Sequence, residues 1–162
     1  MTAARSLAAH ANDREIWLNL RDRFPHPYSV QDAESYIASL GDRAQLTSFG
    51  IEVDGEAAGT IGVIPGTDIG RYSAEIGYWL GRRFWNHGVV TQALLAVTDY
   101  AFSELKMLRV FAVPFAENTA SHRVLVKAGY ELEGRMRNSA MKNSELLDQL
   151  LYAAYKPPTV TA

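Results

Sequence analysis

The sequence of 162 residues contains no cysteine. Disulfide bonds and a catalytic thiol are therefore excluded, and this composition is typical of a cytoplasmic protein. The formal net charge is −2 at pH 7, which gives no support for a nucleic-acid or anionic-membrane partner. We therefore expect a cytoplasmic protein that binds neither nucleic acid nor a membrane.

Long apolar runs are also missing. No stretch approaches the length of a transmembrane helix, and no continuous apolar region near Arg5 marks a signal peptide. The four histidines do not pair with one another or with carboxylates at ligand spacing, so we predict no metal site; they are His10, His26, His87 and His122. The apolar fraction of 48% and the charged fraction of 21% predict one globular domain over residues 1–162.

The stretch 74–93 changes its apolar period in the middle. Residues 74–80 alternate apolar and other side chains, as a strand does. After Gly88, apolar residues recur at steps of three and four, which predicts a helix with one apolar face. The first amides of a helix have no internal partner and carry partial positive charge. The loop of residues 81–88 and the helix start therefore predict a phosphate-binding site.

A second short apolar run, 108–113, ends at Pro114. Strand, helix and strand in one compact unit imply a right-handed crossover and a parallel strand pair. Ligands of such units lie at the carboxyl ends of the strands. We therefore expect a phosphate-bearing ligand over residues 83–91, with its remainder extending toward Asn118 and Ser121.

Three segments of the chain carry the motifs of a known family. In chain order they are Phe24 to Tyr28, then Arg83-Phe84-Trp85-Asn86-His87-Gly88, then Asn118 to Ser121 with Lys127 to Tyr130. Together they resemble the GNAT superfamily of N-acetyltransferases, in the branch of the ribosomal-protein alpha-amino acetyltransferases. The segment from Arg83 to Gly88 is similar to the family loop Q/R-x-x-G-x-G/A, with Asn86 in place of a glycine. Asn is the non-glycine residue that best tolerates positive φ, so we expect the loop to keep its shape.

The resemblance implies an α+β fold of three layers. Its sheet is mixed and mostly antiparallel, has a central splayed pair of parallel strands, and is flanked by helices. The resemblance also implies acetyl-CoA as co-substrate, with the pantetheine arm lying in the splay like an extra strand. The expected CoA-binding residues are Trp79, Leu80, Arg83, Asn86, His87, Gly88, Val89, Val90, Thr91, Asn118 and Ser121. Arg82 is a further natural partner for phosphates.

Acetyl transfer from a thioester to an amine needs a neutral amine, donors for the carbonyl oxygen, and a proton or positive dipole for the departing thiolate. Without cysteine, we expect direct attack in a ternary complex. A backbone N–H near Trp79 or Leu80, unpaired where the strands splay, is the expected oxygen donor. Many relatives have a tyrosine where this chain has Leu125, so we assign the proton to Ser121.

Glu75 is the candidate base, because strand alternation places it on the face of Trp79. An exposed carboxylate without a catalytic role is an equal alternative, and a water chain would also suffice, since an α-amine has a pKa of about 8. His26 is a second candidate base. The expected acceptor-binding residues are Phe24, His26, Tyr28 and Glu75. Asp148 is expected to be structural or to orient the acceptor.

Local signals predict the remaining elements. Residues 1–23 are expected to form one helix, with Asn12-Asp13 as a potential break, and no strand precedes it, unlike in the family. A missing first strand would leave a sheet edge unpaired, which favours a homodimer. The other expected segments are a helix after Ser29 to residue 40 with a capping box to Asp32, strands 46–53, 57–64, 130–137 and 146–155, a turn at Asp54-Gly55, a flexible loop 138–144 and a disordered tail 157–162.

The sequence does not identify the acceptor amine. A protein N-terminal amine, a polyamine-like amine and an amino-sugar antibiotic all satisfy the chemistry. Two other functions compete: a non-catalytic acyl-CoA-binding sensor, favoured by Leu125 and Asn86, and an interaction domain with no CoA site.

Overall fold

The computed structural model describes residues 2–41 and 46–157. The helices in these ranges are α1 (Ala3–Ala11), α2 (Arg14–Leu18), α3 (Val30–Leu40), α4 (Val89–Ser103) and α5 (Thr119–Lys127). The strands are β1 (Ser48–Val53), β2 (Glu56–Pro65), β3 (Ser73–Leu80), β4 (Arg109–Ala112), β5 (Glu131–Lys142) and β6 (Glu145–Tyr155). Short 3-10 turns occupy Asp68–Gly70 and Arg82–Phe84.

Within the described ranges, six strands form one sheet in the order β1-β2-β3-β4-β6-β5. Neighbouring strands are antiparallel, except that β3 and β4 are parallel and are connected through α4. Helices lie on both faces of this sheet. The predicted three-layer α+β fold with a mixed, mostly antiparallel sheet is therefore confirmed.

Each face of the sheet buries its own apolar cluster. The α4–α5 cluster includes Ile76, Leu80, Leu94 and Leu125, of which Leu94 and Leu125 are fully buried. The α1–α3 cluster joins Ala4, Leu7, Ala11, Ile16, Tyr28, Ala33 and Trp79. Alternation along β3 explains the division, because successive side chains of a strand point to opposite faces. The helices on both faces thus hold β3 from either side.

The parallel pair separates after a short contact. β3 and β4 pair from Ser73–Arg109 to Glu75–Phe111. Beyond that point β3 continues to Leu80 beside β2, while β4 ends at Ala112 beside β6. The carboxyl ends of the two strands therefore diverge at the centre of the sheet, as the predicted splay requires.

The prediction of one helix over residues 1–23 is wrong beyond its first half. α1 ends at Ala11, and Asp13 caps a separate short helix by accepting the N–H of Glu15 at 2.8 Å. An Asp side chain competes for the amides of a helix start, so it begins a new helix more readily than it continues one. α1 is the first element in the described part of the chain.

The prediction of a flexible loop at 138–144 is also wrong. β5 extends to Lys142, and Ala140 pairs with Leu147 across a long hairpin. The reversal occurs at Asn143 and Ser144, both at positive φ, which is the geometry of a tight hairpin turn. The polar composition of this segment reflects an exposed edge strand with a bulge between Met136 and Ala140, not a mobile loop.

Several local predictions are confirmed. Ser29 and Asp32 form a reciprocal capping box at the start of α3, and Asp54 and Gly55 both have positive φ between β1 and β2. Strand ends differ from the predictions by one or two residues at the first three strands. Apart from Pro157, the predicted disordered tail lies outside the described residues.

Candidate active site

A cavity of about 1400 Å³ opens where β3 and β4 diverge. Its lining comes from the ends of these strands, the starts of α4 and α5, the α2–α3 connection, helix α3 and strand β2. It brings together twelve of the predicted site residues: Phe24, Tyr28, Glu75, Trp79, Leu80, Asn86, Gly88, Val89, Val90, Thr91, Asn118 and Ser121. Arg83, His87 and His26 are outside the set of described residues that line it.

The loop before α4 has the shape expected of a phosphate site. Gly88 is the N-cap of α4 at a φ of +76°, and its cap lacks a side-chain hydrogen bond among the described residues. A Cβ added to Gly88 would meet open space. Asn86 takes a φ of +63°, so the asparagine supplies the backbone conformation for which the family pattern uses glycine. The first amides of α4 are thus open to an anion.

The two arginines of this loop have partners outside the cavity. Arg82 binds Asp13 through Nε at 2.9 Å and through its terminal nitrogen at 2.7 Å. Arg83 pairs with Glu56 at 2.5 Å, and the same carboxylate oxygen lies 3.1 Å from Nε2 of His10. Hydrogen bonds from the arginines hold the pKa of Asp13 and of Glu56 below their ordinary values. In this structure the arginines anchor the loop to α1, α2 and β2.

Strand parity indicates which amides of β3 face the splay. Gly81 donates its N–H to the carbonyl of Ala58 at 2.8 Å, on the β2 side. Successive N–H groups of a strand point to opposite edges, so the amide of Trp79 also points toward β2 and that of Leu80 toward the gap. Trp85 supports this assignment, because its indole N–H donates to the carbonyl of Leu80 at 2.7 Å. Of the two predicted oxygen donors, Leu80 has the suitable direction.

Ser121 lies in the first turn of α5 with a partner that the sequence did not reveal. Its N–H donates to Oδ1 of the N-cap Asn118 at 3.1 Å, and its Oγ is 2.6 Å from the hydroxyl oxygen of Tyr78. Burial raises the pKa of Tyr78 above its ordinary value, so its hydroxyl stays protonated. Leu125, the position at which relatives have tyrosine, is fully buried and apolar. Strand alternation places Tyr78 on the face of the sheet that α5 covers, and this was the signal in the sequence that could have indicated Tyr78 as a partner of Ser121.

Glu75 lines the cavity as a paired carboxylate. Arg21 donates a hydrogen bond to its Oε1. Phe24 packs nearby, with its ring centre 4.8 Å from that of Tyr28 and 5.5 Å from that of Trp79. The three rings thus form an aromatic cluster in the cavity lining, and their contact with an acceptor stays a prediction.

His26 and Asp148 lie elsewhere. His26 is exposed and stacks on Trp17 with ring centres 5.6 Å apart. Asp148 accepts the N–H of Asn138 at 2.8 Å and Nε of Arg135 at 2.6 Å, which holds its pKa low. These contacts give Asp148 a structural role at the β5 bulge, one of the two roles predicted for it.

The described ranges contain no group of three or more His, Cys, Asp or Glu side chains that could hold a metal ion. Among the helices given above, none is both long enough and apolar enough to cross a bilayer. Besides backbone amides, hydroxyls and aromatic rings, the cavity is lined by acidic and basic side chains: Glu15, Asp32, Glu75, Arg21, Arg23, Arg123 and Lys127.

Comparison with known proteins agrees with this geometry. YjcK of Bacillus subtilis, named as a probable N-acetyltransferase, is 31% identical over 151 residues, which cover 85% of this chain and 83% of YjcK. YoaA of the same organism, named as an uncharacterized N-acetyltransferase, is 37% identical over 84 residues, 52% of this chain and 48% of YoaA. The chain thus matches about half the length of YoaA.

A solved structure and a family model extend the comparison. RimJ of Mycobacterium smegmatis in complex with CoA-disulfide superposes with a TM-score of 0.76 at 26% identity, over 94% of this chain and 75% of RimJ. The model of the family described as "Acetyltransferase (GNAT) domain" matches residues 2–131. This match covers most of the chain, which therefore belongs to the GNAT acetyltransferase family.

Proposed function

We propose that the protein transfers the acetyl group of acetyl-CoA to a primary amine, by direct attack in a ternary complex. The observation that carries this proposal is one continuous cavity with three parts: open α4 amides at Gly88, the strand splay beside Leu80, and an aromatic and acidic end at Phe24 and Glu75. This order suits a ligand with a phosphate at one end and a reactive carbonyl in the middle.

The residues of the chain have distinct roles in this proposal. The amides of the loop and of α4 bind the pyrophosphate, and the Leu80 N–H donates to the acetyl oxygen as it gains charge. The reaction forms an N–C bond and breaks a C–S bond, and Ser121 with the positive end of α5 stabilises the departing thiolate. The absence of cysteine favours this route over an acyl-enzyme on sulfur.

Glu75 is the proposed base, and its ion pair with Arg21 must change before it can accept a proton. The carboxylate binds Arg21 in the structure, so an acceptor amine must replace or share that partner. Once beside the amine, Glu75 accepts the proton that leaves as the N–C bond forms. A water chain from the same cavity is the alternative carrier.

The acceptor is proposed as a class: a protein N-terminus or a small-molecule amine. We also propose a homodimer, because β1 and β5 lie at the two edges of the sheet and edge strands favour pairing with another chain. The proposed cytoplasmic location rests on the lack of cysteine. Light scattering of the purified protein measures the oligomeric state.

Calorimetric titration with acetyl-CoA tests the proposal, with ATP and NAD as controls. Binding of acetyl-CoA alone supports the cofactor class and is followed by an acceptor screen that starts with peptide N-termini and includes polyamines. Binding without turnover across the panel would favour an acyl-CoA sensor. No binding by the folded protein would refute the proposed function.

A further inference from the structure

The hydroxyl pair of Tyr78 and Ser121 joins the splayed strand β3 to the first turn of α5. The two oxygen atoms are 2.6 Å apart, and both side chains line the cavity. The pair lies beside the strand gap, where Leu80 also faces the cavity. A hydroxyl pair in this place can act on the sulfur of a thioester bound along the gap.

Counting protons determines what the pair can do. Two hydroxyls carry two protons, and one of these lies between the oxygens. A phenol is the better donor of the two, and burial keeps the Tyr78 hydroxyl protonated. With Tyr78 as donor, the proton of Ser121 is free to point into the cavity. Without Tyr78, the serine proton has several rotameric directions of similar energy.

We infer that Tyr78 is a positioning residue, whose hydrogen bond orients the Ser121 hydroxyl toward the sulfur of CoA. The inference rests on the proposed function. Tyr78, a residue of β3, then contributes to stabilising the thiolate, a function for which many relatives have a tyrosine at the position of Leu125. As the C–S bond breaks, the electron pair goes to sulfur, and Ser121 donates a hydrogen bond to the thiolate. The thiol proton finally comes from solvent.

The same kind of bond elsewhere in the molecule supplies a matched control. The hydroxyls of Thr98 in α4 and Tyr130 are also 2.6 Å apart and buried, and burial raises the pKa of Tyr130 to about 12. Neither residue lines the cavity. Tyr130→Phe therefore removes an equivalent tyrosine–hydroxyl bond, between α4 and the segment that joins α5 to β5, away from the bound sulfur.

The decisive measurement is the pH titration of the thiolate absorbance of CoA bound to the protein. The protein has no cysteine, so CoA is the one thiol in the sample, and the absorbance of each variant without CoA is subtracted at every pH, because tyrosines begin to ionise in the same pH range. The variants are Tyr78→Phe, Ser121→Ala, the double variant and Tyr130→Phe. Calorimetry with CoA and thermal unfolding are measured on each, to confirm binding and folding.

We expect Ser121→Ala to raise the pKa of the bound thiol by about one unit, a roughly ten-fold loss of thiolate at fixed pH. Tyr78→Phe should cause about a three-fold loss with CoA affinity unchanged, because one favourable hydrogen-bond direction of several is lost. The double variant should equal Ser121→Ala, since Tyr78 acts through Ser121. Tyr130→Phe should leave the titration unchanged.

A wild-type titration curve for Tyr78→Phe, or additive effects in the double variant, would overturn the inference and leave the proposed function intact. An equal shift in Tyr130→Phe would also overturn it, because the effect would then be a general loosening of the packing around the helices. Failure of the wild-type protein to bind CoA is a different result and refutes the proposed function itself.

Discussion

Substituting Gly88 by glutamate tests the phosphate loop most directly. Gly88 has a φ of +76° and open space around the position of a Cβ. A glutamate there places a carboxylate over the first amides of α4, where the pyrophosphate is expected. The same substitution at Gly55 provides the control, because Gly55 has a φ of +78° and equally open surroundings but lies in the turn between β1 and β2.

The two substitutions carry the same backbone cost. A non-glycine residue in the left-handed region costs about 1–2 kcal/mol, which for a protein of this size lowers Tm by roughly 2–8 °C. The electrostatic cost applies to Gly88 alone. Two like charges about 4 Å apart repel by about 4 kcal/mol at an effective dielectric constant of about 20, which corresponds to a loss of affinity of about three orders of magnitude.

Calorimetric titration with acetyl-CoA and thermal unfolding complete the assay. We expect Gly88→Glu to abolish measurable binding and Gly55→Glu to bind like the wild type, while both unfold at similarly lowered temperatures. Gly88→Gln separates bulk from charge, and its affinity should lie between the two. Equal acetyl-CoA affinity of a folded Gly88→Glu variant and the wild type would refute the assignment of the loop.

Three further predictions concern the base, the hairpin and the core. Glu75→Gln should lower kcat by about 100-fold and alter the acidic limb of the pH–rate profile, without a change in acetyl-CoA affinity; an unchanged profile would leave the water chain as the proton carrier. Asp148→Asn should lower Tm near neutral pH, because a carboxylate with a depressed pKa stabilises the fold while it is ionised. The difference in Tm from the wild type should shrink as the pH falls below the ordinary aspartate pKa of about 3.9. A difference that stays constant with pH would contradict this. Leu125→Ala should reduce the free energy of unfolding by about 2–5 kcal/mol in urea denaturation, since Leu125 is fully buried, and a loss below about 1 kcal/mol would mean that the site collapses around the smaller side chain.

Features that depend on neighbouring residues were predictable from the sequence. The capping box of Ser29 and Asp32 and the positive-φ turn at Asp54-Gly55 involve contacts across three residues or fewer. Their energies are decided by local backbone geometry. The strand, loop and helix around Gly88 were predictable for the same reason, because the apolar period changes from two to about 3.6 within one stretch.

Local signals failed where two readings of the same residues compete. Asn12 and Asp13 are compatible with an interruption of the helix and also with the interior of one long helix. In the structure the helix is interrupted, because Asp13 caps the start of α2. Residues 138–142 look like a loop because they are polar. The backbone of residues 140–142 nevertheless pairs with β6, after a bulge that includes residues 138 and 139, since an edge strand can expose most of its side chains.

By itself the sequence determined the order of the strands and of helices α3 to α5, the shape of the loop before α4, and twelve of the residues that line the cavity, because these depend on period and spacing. The tertiary structure alone decided which side chains meet. Tyr78 and Ser121 are 43 residues apart, Arg21 and Glu75 are 54 apart, and Asp13 and Arg82 are 69 apart. Such pairs form when the packing of helices against the sheet brings distant segments together. Spacing along the chain carries no record of that packing, so the partner of Ser121 and the anchoring role of the loop arginines became visible only in the folded protein.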